Sequence, residues 1–347
     1  MSSTRFFNSN QETGRVYVIA EAGLNHNGSL ELAKEMVDIA AKAGADAVKF
    51  QKRTVDILAI GTVLDAQDGR FPTFGSTYRQ IREHIELDRA AYQAIMNQCR
   101  DQGIEFLCTA FDLPAMAFLE DLGLTTYKLA SHSLGNLPLL NGVAQLQKPT
   151  ILSTGMAEWD EIDRAVEIFQ SYHAPLALLH CVSIYPTPPE ASNLAMIEVL
   201  RNRYNLPVGY SGHEIGFLPT LAAVAMGATI VERHFTKDAT LPGFDHKISL
   251  EPQALTDMIS AIRTIETMRG SGLKSVSPQE MVTRHKYHVS MVSAIPLAKN
   301  EILTTDHIVY RNPGTGIPPK DAIKYLGRRL AQAVEADVLI TPEMFDA

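Results

Sequence analysis

The sequence predicts a (β/α)8 barrel followed by a small β-rich domain. Three observations predict it. Short β-rich runs alternate with helical-period runs eight times between residues 16 and 270. The connections have ordinary crossover length, and eight parallel repeats of this size close most simply into a barrel. Composition then shifts after Gly270, where Ser271–Gln279 holds Gly, Ser and Pro as a linker does. A doubly wound open sheet is the structural alternative, but no Rossmann glycine fingerprint or Walker loop supports it.

Residues 1–15 read as a polar tail without the apolar stretch of a signal peptide. Val16–Glu21 is the first strand, followed by a turn at residues 25–28. Ser29 caps a helix reaching about Ala43, with Leu30, Ala33, Met36, Val37 and Ala40 at helical spacing, and Gly44 ends it. Asp46–Gln51 is the second strand. Residues 52–85 are too long for an idle connection and read as a substrate loop. Strands follow at Ile104–Cys108, Thr126–Leu129, Thr150–Leu152 and Leu176–Leu179. They alternate with helices at Leu87–Asp101, Leu113–Leu122, Leu137–Leu146, Glu158–Tyr172 and Asn193–Arg203. The last two strands come from a run opening at Val208 and from Ala228–Val231, joined by a helix over Phe217–Met226. A final helix spans Glu251–Arg269. Residues 271–282 read as a linker and 283–347 as the small domain, with β-rich runs at His288–Ala294 and His307–Tyr310.

Of the 347 residues 46% are hydrophobic and 20% charged, which suits a globular chain with a sizeable core. A net charge of −8 argues against nucleic acid or an anionic membrane as the main partner. Cys99, Cys108 and Cys181 form no CxxC or zinc spacing and fit a reducing compartment. No run approaches the ~18 apolar residues of a membrane span. A cytoplasmic location is the expectation.

In this register polar residues terminate nearly every strand. They are Glu21, then Lys49 and Gln51, Thr109, Lys128 and Ser131, Ser153, Ser183 and Tyr185, Tyr210, Ser211 and His213, and finally His234. Any one of them is an ordinary rim residue; their convergence on one ring is the signal, because barrel enzymes keep their sites at the carboxyl ends of the strands. Two lysines and several hydroxyls suit a small polyanion carrying a phosphate. Two histidines past successive strands, His213 and His234, suit a transition metal such as Mn or Zn. Glu21 would bind that metal through water or act as a base.

At these residues the sequence resembles the sialic acid synthase family. The matching segments are IAEAGLNHNGSLELAKEMVDIAAKAGADAVKFQ, YKLAS, NLPLL, KPTILSTGM, LLHCVSIYPTPPE, VGYSGHEIG, GATIVERHFT and RNPGTG, in order from about residue 16 to the end. The resemblance implies a barrel followed by an antifreeze-like (SAF) domain, in a domain-swapped homodimer. It implies condensation of phosphoenolpyruvate with an N-acylated hexosamine or its phosphate, giving a nonulosonic acid. His213 and His234 match metal ligands, usually for Mn²⁺, with Mg²⁺ or Co²⁺ as alternatives. Glu21 matches a carboxylate near metal and sugar. Lys49, Thr109, Lys128, Ser131, Ser153, Ser183 and Ser211 match positions around phosphoenolpyruvate. Gln51 is grouped with them as substrate-binding, and Tyr185 matches a residue facing the acceptor. Arg311 matches an arginine that the small domain of one copy supplies to the sugar site of the other.

Three departures from the family pattern stand out. Ser133 replaces a common glutamate expected to contact the sugar, Ser183 a frequent asparagine, and Ala110 a usual proline. Arg79 and Arg82 either meet a sugar phosphate or lie on a solvated helix face. Two further functions compete: a pyruvate lyase in which Lys128 forms an imine, and a sugar-binding relative without catalysis.

Overall fold

The computed structural model describes residues 14–346. Eight parallel strands close into a barrel, β1 pairing with both β2 and β8. They are β1 (Tyr17–Gly23), β2 (Ala47–Lys52), β3 (Glu105–Ala110), β4 (Tyr127–Leu129), β5 (Thr150–Ser153), β6 (Leu176–Cys181), β7 (Val208–Gly212) and β8 (Ile230–His234). The helices of this unit are α1 (Leu30–Ala43), α2 (Gly61–Leu64), α3 (Tyr78–Ile85), α4 (Arg89–Gln102), α5 (Leu113–Asp121), α6 (Leu137–Gln145), α7 (Trp159–Ser171), α8 (Met196–Tyr204), α9 (Leu218–Ala225) and α10 (Pro252–Arg269).

Local chemistry sets the ends of these elements. The Ser29 hydroxyl accepts from the Leu32 N–H at the start of α1, and Gly44, at φ 86°, closes it in the left-handed conformation. Asp88 caps α4 in the same way. The buried faces of the helices pack against the outward side chains of the strands, such as Val18, Val48, Phe50, Leu152 and Val231, to form the main core. The inward side chains of the strands form a second, smaller cluster: Tyr17, Ile19, Ala47, Leu107, Ile151, Ala177, Leu179 and Ile230. That apolar plug fills the barrel below the layer where the chemistry lies.

Three sequence expectations need correction. Residues 52–85 are no open loop: they contain α2 and α3, and Gln67 bridges to Thr77. Thr77 caps α3, whose Ile81 and Ile85 pack with Leu24 and with Phe71, Phe74 and Phe244. The predicted linker overlaps helix α11 (Pro278–Tyr287), started by a reciprocal Ser277–Glu280 capping box. The helix expected from Asn193 begins at Met196, since Asn193 itself has φ 41°.

The chain divides into two compact units, one through Gly270 and the other from Ser271. The second unit holds α11 and an antiparallel pair, β9 (Ser290–Ser293) and β10 (Ile308–Arg311). Its own core includes Met291, Leu297, Leu303, Ile317, Leu330 and Ile340. Among the described residues no helix is long and apolar enough to cross a membrane.

Candidate active site

Every second side chain of a strand faces the same way. On β1 this carries Tyr17 and Ile19 into the apolar plug and Glu21 one layer above it. Register then builds a ring at that level. Glu21 lies beside Lys49 of β2 and His234 of β8, Gln51 beside Thr109, and Thr109 beside Lys128. Cys181 lies beside Ser211, and Ser211 beside Glu232. Above the ring opens a cavity of about 360 Å³. Of the strand-end residues put forward, Glu21, Lys49, Gln51, Thr109, Lys128, Ser131, Ser153, Ser183, Tyr185, Ser211, His213 and His234 line it, and Tyr210 does not.

The ring is a compact charge cluster. The Lys49 ammonium donates to Thr109 Oγ1 at 2.7 Å and lies 2.9 Å from Glu21 and 3.7 Å from Glu232. The Lys128 ammonium donates to Ser153 Oγ at 2.8 Å and to the Leu129 carbonyl at 3.2 Å, and lies 3.5 Å from Glu232. All four charged groups are buried. Burial works against the Lys49 ammonium, but Glu21 and Glu232 more than offset it, so the Lys49 pKa is raised. Lys128 is lowered: burial outweighs its single close carboxylate, and Lys49 repels it. Burial also opposes the Glu232 carboxylate, yet Lys128 and Lys49 hold its pKa at about 2. Two carboxylates therefore face two amines in a buried layer.

The histidines stand at one edge of this layer, with ring centres 5.6 Å apart. His213 Nδ1 faces the Val182 carbonyl at 3.0 Å. A carbonyl only accepts, so Nδ1 carries the hydrogen and the Nε2 lone pair is left available. His234 Nδ1 is buried without a hydrogen-bond partner, with Asp245 at 4.0 Å. That donor set fits a divalent cation at two imidazoles. Among the described residues no three His, Cys, Asp or Glu side chains gather as a complete cation cage.

Two expectations at the site change. Ser133 is buried and is not on the cavity wall; His132, beside it in a short 3₁₀ turn, is. Tyr210 points outward from the barrel and donates to Glu214 at 3.1 Å. Arg311 lies on β10 of the other unit, exposed and ion-paired with Asp337. The sequence reading missed Glu232, Cys181, Arg53 and Asp245, all of which line the cavity. The first three were available from the two-residue period, since they lie two positions from His234, Ser183 and Gln51. Asp245 lies in a loop after β8, and nothing local marks it.

A sequence profile described as the NeuB family matches residues 36–274, well over half of the chain. The chain belongs to the NeuB family. Among curated relatives, an N,N'-diacetyllegionaminic acid synthase of Legionella pneumophila is 36% identical over 95% of both chains. The human N-acetylneuraminate-9-phosphate synthase is 33% identical over 95% of this chain and 92% of its own. Among solved structures, an N-acetylneuraminic acid (sialic acid) synthetase from Leptospira borgpetersenii superposes with a TM-score of 0.67 at 35% identity. It covers 78% of this chain and 90% of its own. The family resemblance noted in the sequence is thus shown, and so is the barrel.

Proposed function

We propose that this NeuB-family chain condenses phosphoenolpyruvate with the open-chain aldehyde of an N-acylated amino sugar. The products are a nonulosonic acid and inorganic phosphate. The observation that carries the reading is the buried layer of Lys49, Lys128, Glu21 and Glu232, walled by hydroxyls and edged by two histidines. The relatives named above as synthases of legionaminic and neuraminic products support the same chemistry.

In this reading Lys49 and Lys128 meet the phosphate and carboxylate of phosphoenolpyruvate. Thr109, Ser131, Ser153, Ser183 and Ser211 supply hydroxyl donors around it. Gln51 and Tyr185 face the acceptor. The C3 carbon attacks the aldehyde carbon, leaving an alkoxide there and a cationic C2. Water adds to C2, its proton taken up at Glu21 Oε2 and passed to the alkoxide oxygen. The bond from C2 to the phosphate oxygen then breaks, phosphate leaves with that electron pair, and the C2 hydroxyl gives its proton to the departing phosphate as it becomes the ketone. Lys128 works as an ammonium, since Ser153 Oγ, the Leu129 carbonyl and Glu232 surround its nitrogen with acceptors.

The metal, the dimer and the cytoplasmic location belong to this proposal. His213 and His234 would hold Mn²⁺, or Mg²⁺ or Co²⁺ in its place, with water and substrate completing the shell. A cation bound there supplies Lewis acidity toward the acceptor carbonyl oxygen. Arg311 would serve the sugar site of a second copy.

The test is phosphate release from phosphoenolpyruvate with Mn²⁺ across N-acetylmannosamine, its 6-phosphate, mannose and diacetamido hexoses. Release that needs an N-acylated acceptor, and that disappears in His213→Ala, is expected. Release that ignores the acceptor, or none with metal-loaded folded protein, would contradict the reading.

A further inference from the structure

Phe244 and Asp245 reach the cavity from the loop between β8 and α10. That loop is held from a distant part of the chain, by two asparagines in the turn between β1 and α1. The Asn25 side-chain amide donates to the Phe235 carbonyl and to Ser249 Oγ, each at 2.8 Å. Ser249 Oγ in turn donates to the Asp245 carbonyl at 2.7 Å. The Asn27 side-chain amide donates to the Pro242 carbonyl at 2.9 Å, and its Oδ1 lies 3.2 Å from His246 Nε2. Asp245 is thus bracketed. Its own carbonyl is tied to Asn25 through Ser249, and the residue after it is tied to Asn27.

An amide oxygen only accepts, so His246 Nε2 carries the hydrogen, and Nδ1 accepts from the Thr236 hydroxyl at 2.7 Å. The Asp238 N–H donates to Thr236 Oγ1 at 3.2 Å, which extends the chain of bonds along the loop. Burial lowers the His246 pKa, in keeping with an uncharged ring. The junction leaves no room for a side chain at Gly243: a Cβ there would lie 2.6 Å from the His246 ring and 2.9 Å from Asn27 Oδ1. Gly28, next to Asn27, closes the same turn against α3, since a Cβ there would lie 2.1 Å from the His84 carbonyl oxygen. Leu24, which opens the turn, packs with Ile81 and Ile85 of α3. One turn therefore touches two of the pieces of chain that wall the cavity: α3 with Tyr78 and Arg82, and the loop with Phe244 and Asp245.

We propose that Asn25 and Asn27 are positioning residues that clamp the β8–α10 loop at the acceptor side of the cavity. This rests on the condensation reading, which puts the acceptor carbonyl beside His213 and His234; Asp245 lies 4.0 Å from His234 Nδ1. Lys128 and Ser153, which that reading gives to phosphoenolpyruvate, come from β4 and β5 across the barrel. Loss of the clamp therefore acts on one substrate and spares the other.

Asn27→Gly tests it, because glycine keeps the left-handed backbone of Asn27, at φ 49°, and strips only its side chain. Ser249→Ala, at a half-buried position, breaks the tie to Asn25 with a small change. The first readout is amide exchange in the free protein at Ile248 and Ser249, whose N–H groups donate to the Asp245 and His246 carbonyls. Exchange there should quicken by about tenfold in each variant, the scale of one lost hydrogen bond, while the strands exchange as in the wild type. The second readout is steady-state kinetics with phosphoenolpyruvate, Mn²⁺ and an accepted amino sugar. The KM of the sugar should rise by about tenfold, and that of phosphoenolpyruvate should stay unchanged. Asn27→Asp, which keeps the oxygen facing His246 and loses the donor to Pro242, should lie between. Unchanged exchange in either variant would overturn the clamp, whatever the reaction does. Faster exchange with both KM values raised alike, or with neither raised, would overturn its tie to the acceptor. Absence of turnover with every sugar, in wild type and variants alike, would refute the condensation and the acceptor role with it, and exchange alone would then decide the clamp.

Discussion

Glu232 balances both lysines of the cavity, and it was legible only in part. The sequence shows an acidic residue two positions before His234, which on a strand means the same inward face. It does not show that Lys49 and Lys128 approach that carboxylate from β2 and β4. Glu232→Gln leaves two buried ammonium groups with one carboxylate between them. Breaking a buried pair on one side costs about 3–5 kcal/mol. The expected outcome is a lower denaturant midpoint together with a loss of turnover of at least about a hundredfold, whereas an inert substitution would show the balance to be incidental. His26 makes a second residue-scale test. Burial first, and repulsion from His246 second, lower its pKa from 6.5 to about 4. Its folded value lies below its unfolded one, so the unfolded chain binds the proton first as pH falls. Its contribution is therefore complete above about pH 6.5 and is lost between there and about pH 4. The loss amounts to about 3 kcal/mol from this group. Urea midpoints at pH 7 and pH 5 should fall for the wild type and fall less for His26→Gln.

At the scale of elements, β7 and β8 are tied together by a buried pair that the sequence did not suggest. Arg233 faces outward from β8 and donates to Glu214 Oε1 at 2.5 Å, to Thr220 Oγ1 at 2.8 Å, and to the carbonyls of Glu214 and Gly216 at 2.8 Å. Glu214 directly follows His213, and Arg233 directly precedes His234. The pair thus holds both imidazoles from behind the barrel wall. Arg233→Met should lower stability by about 3–5 kcal/mol, read from thermal or urea unfolding. It should also weaken the Mn²⁺ binding proposed for His213 and His234, although it lies outside that pair. Unchanged metal affinity in the folded variant would show that the histidines are set by the strands alone. Within residues 52–85 the sequence offered no more than a helix face at Arg79 and Arg82, for a related reason. The apolar face of α3, Ile81 and Ile85, is satisfied by Leu24 and Phe244, distant in the chain, so local periodicity carried too little signal.

For the whole molecule, the eightfold alternation was strong because each strand had to be buried on both faces and each helix on one. That made the barrel and the ring of strand-end residues readable. The arginine wall of the cavity was not readable as a whole, because Arg53, Arg82, Phe111 and Phe244 come from separate segments and meet only in the folded chain. The proposed condensation makes one demand on chemistry: phosphoenolpyruvate loses its phosphate through the bond to carbon. Phosphoenolpyruvate carrying oxygen-18 in the oxygen between C2 and phosphorus tests this directly. With Mn²⁺ and an accepted amino sugar, the label should appear in inorganic phosphate, in step with formation of the condensed acid. Label kept at C2 of the product, or released in pyruvate without the acceptor, would contradict the account.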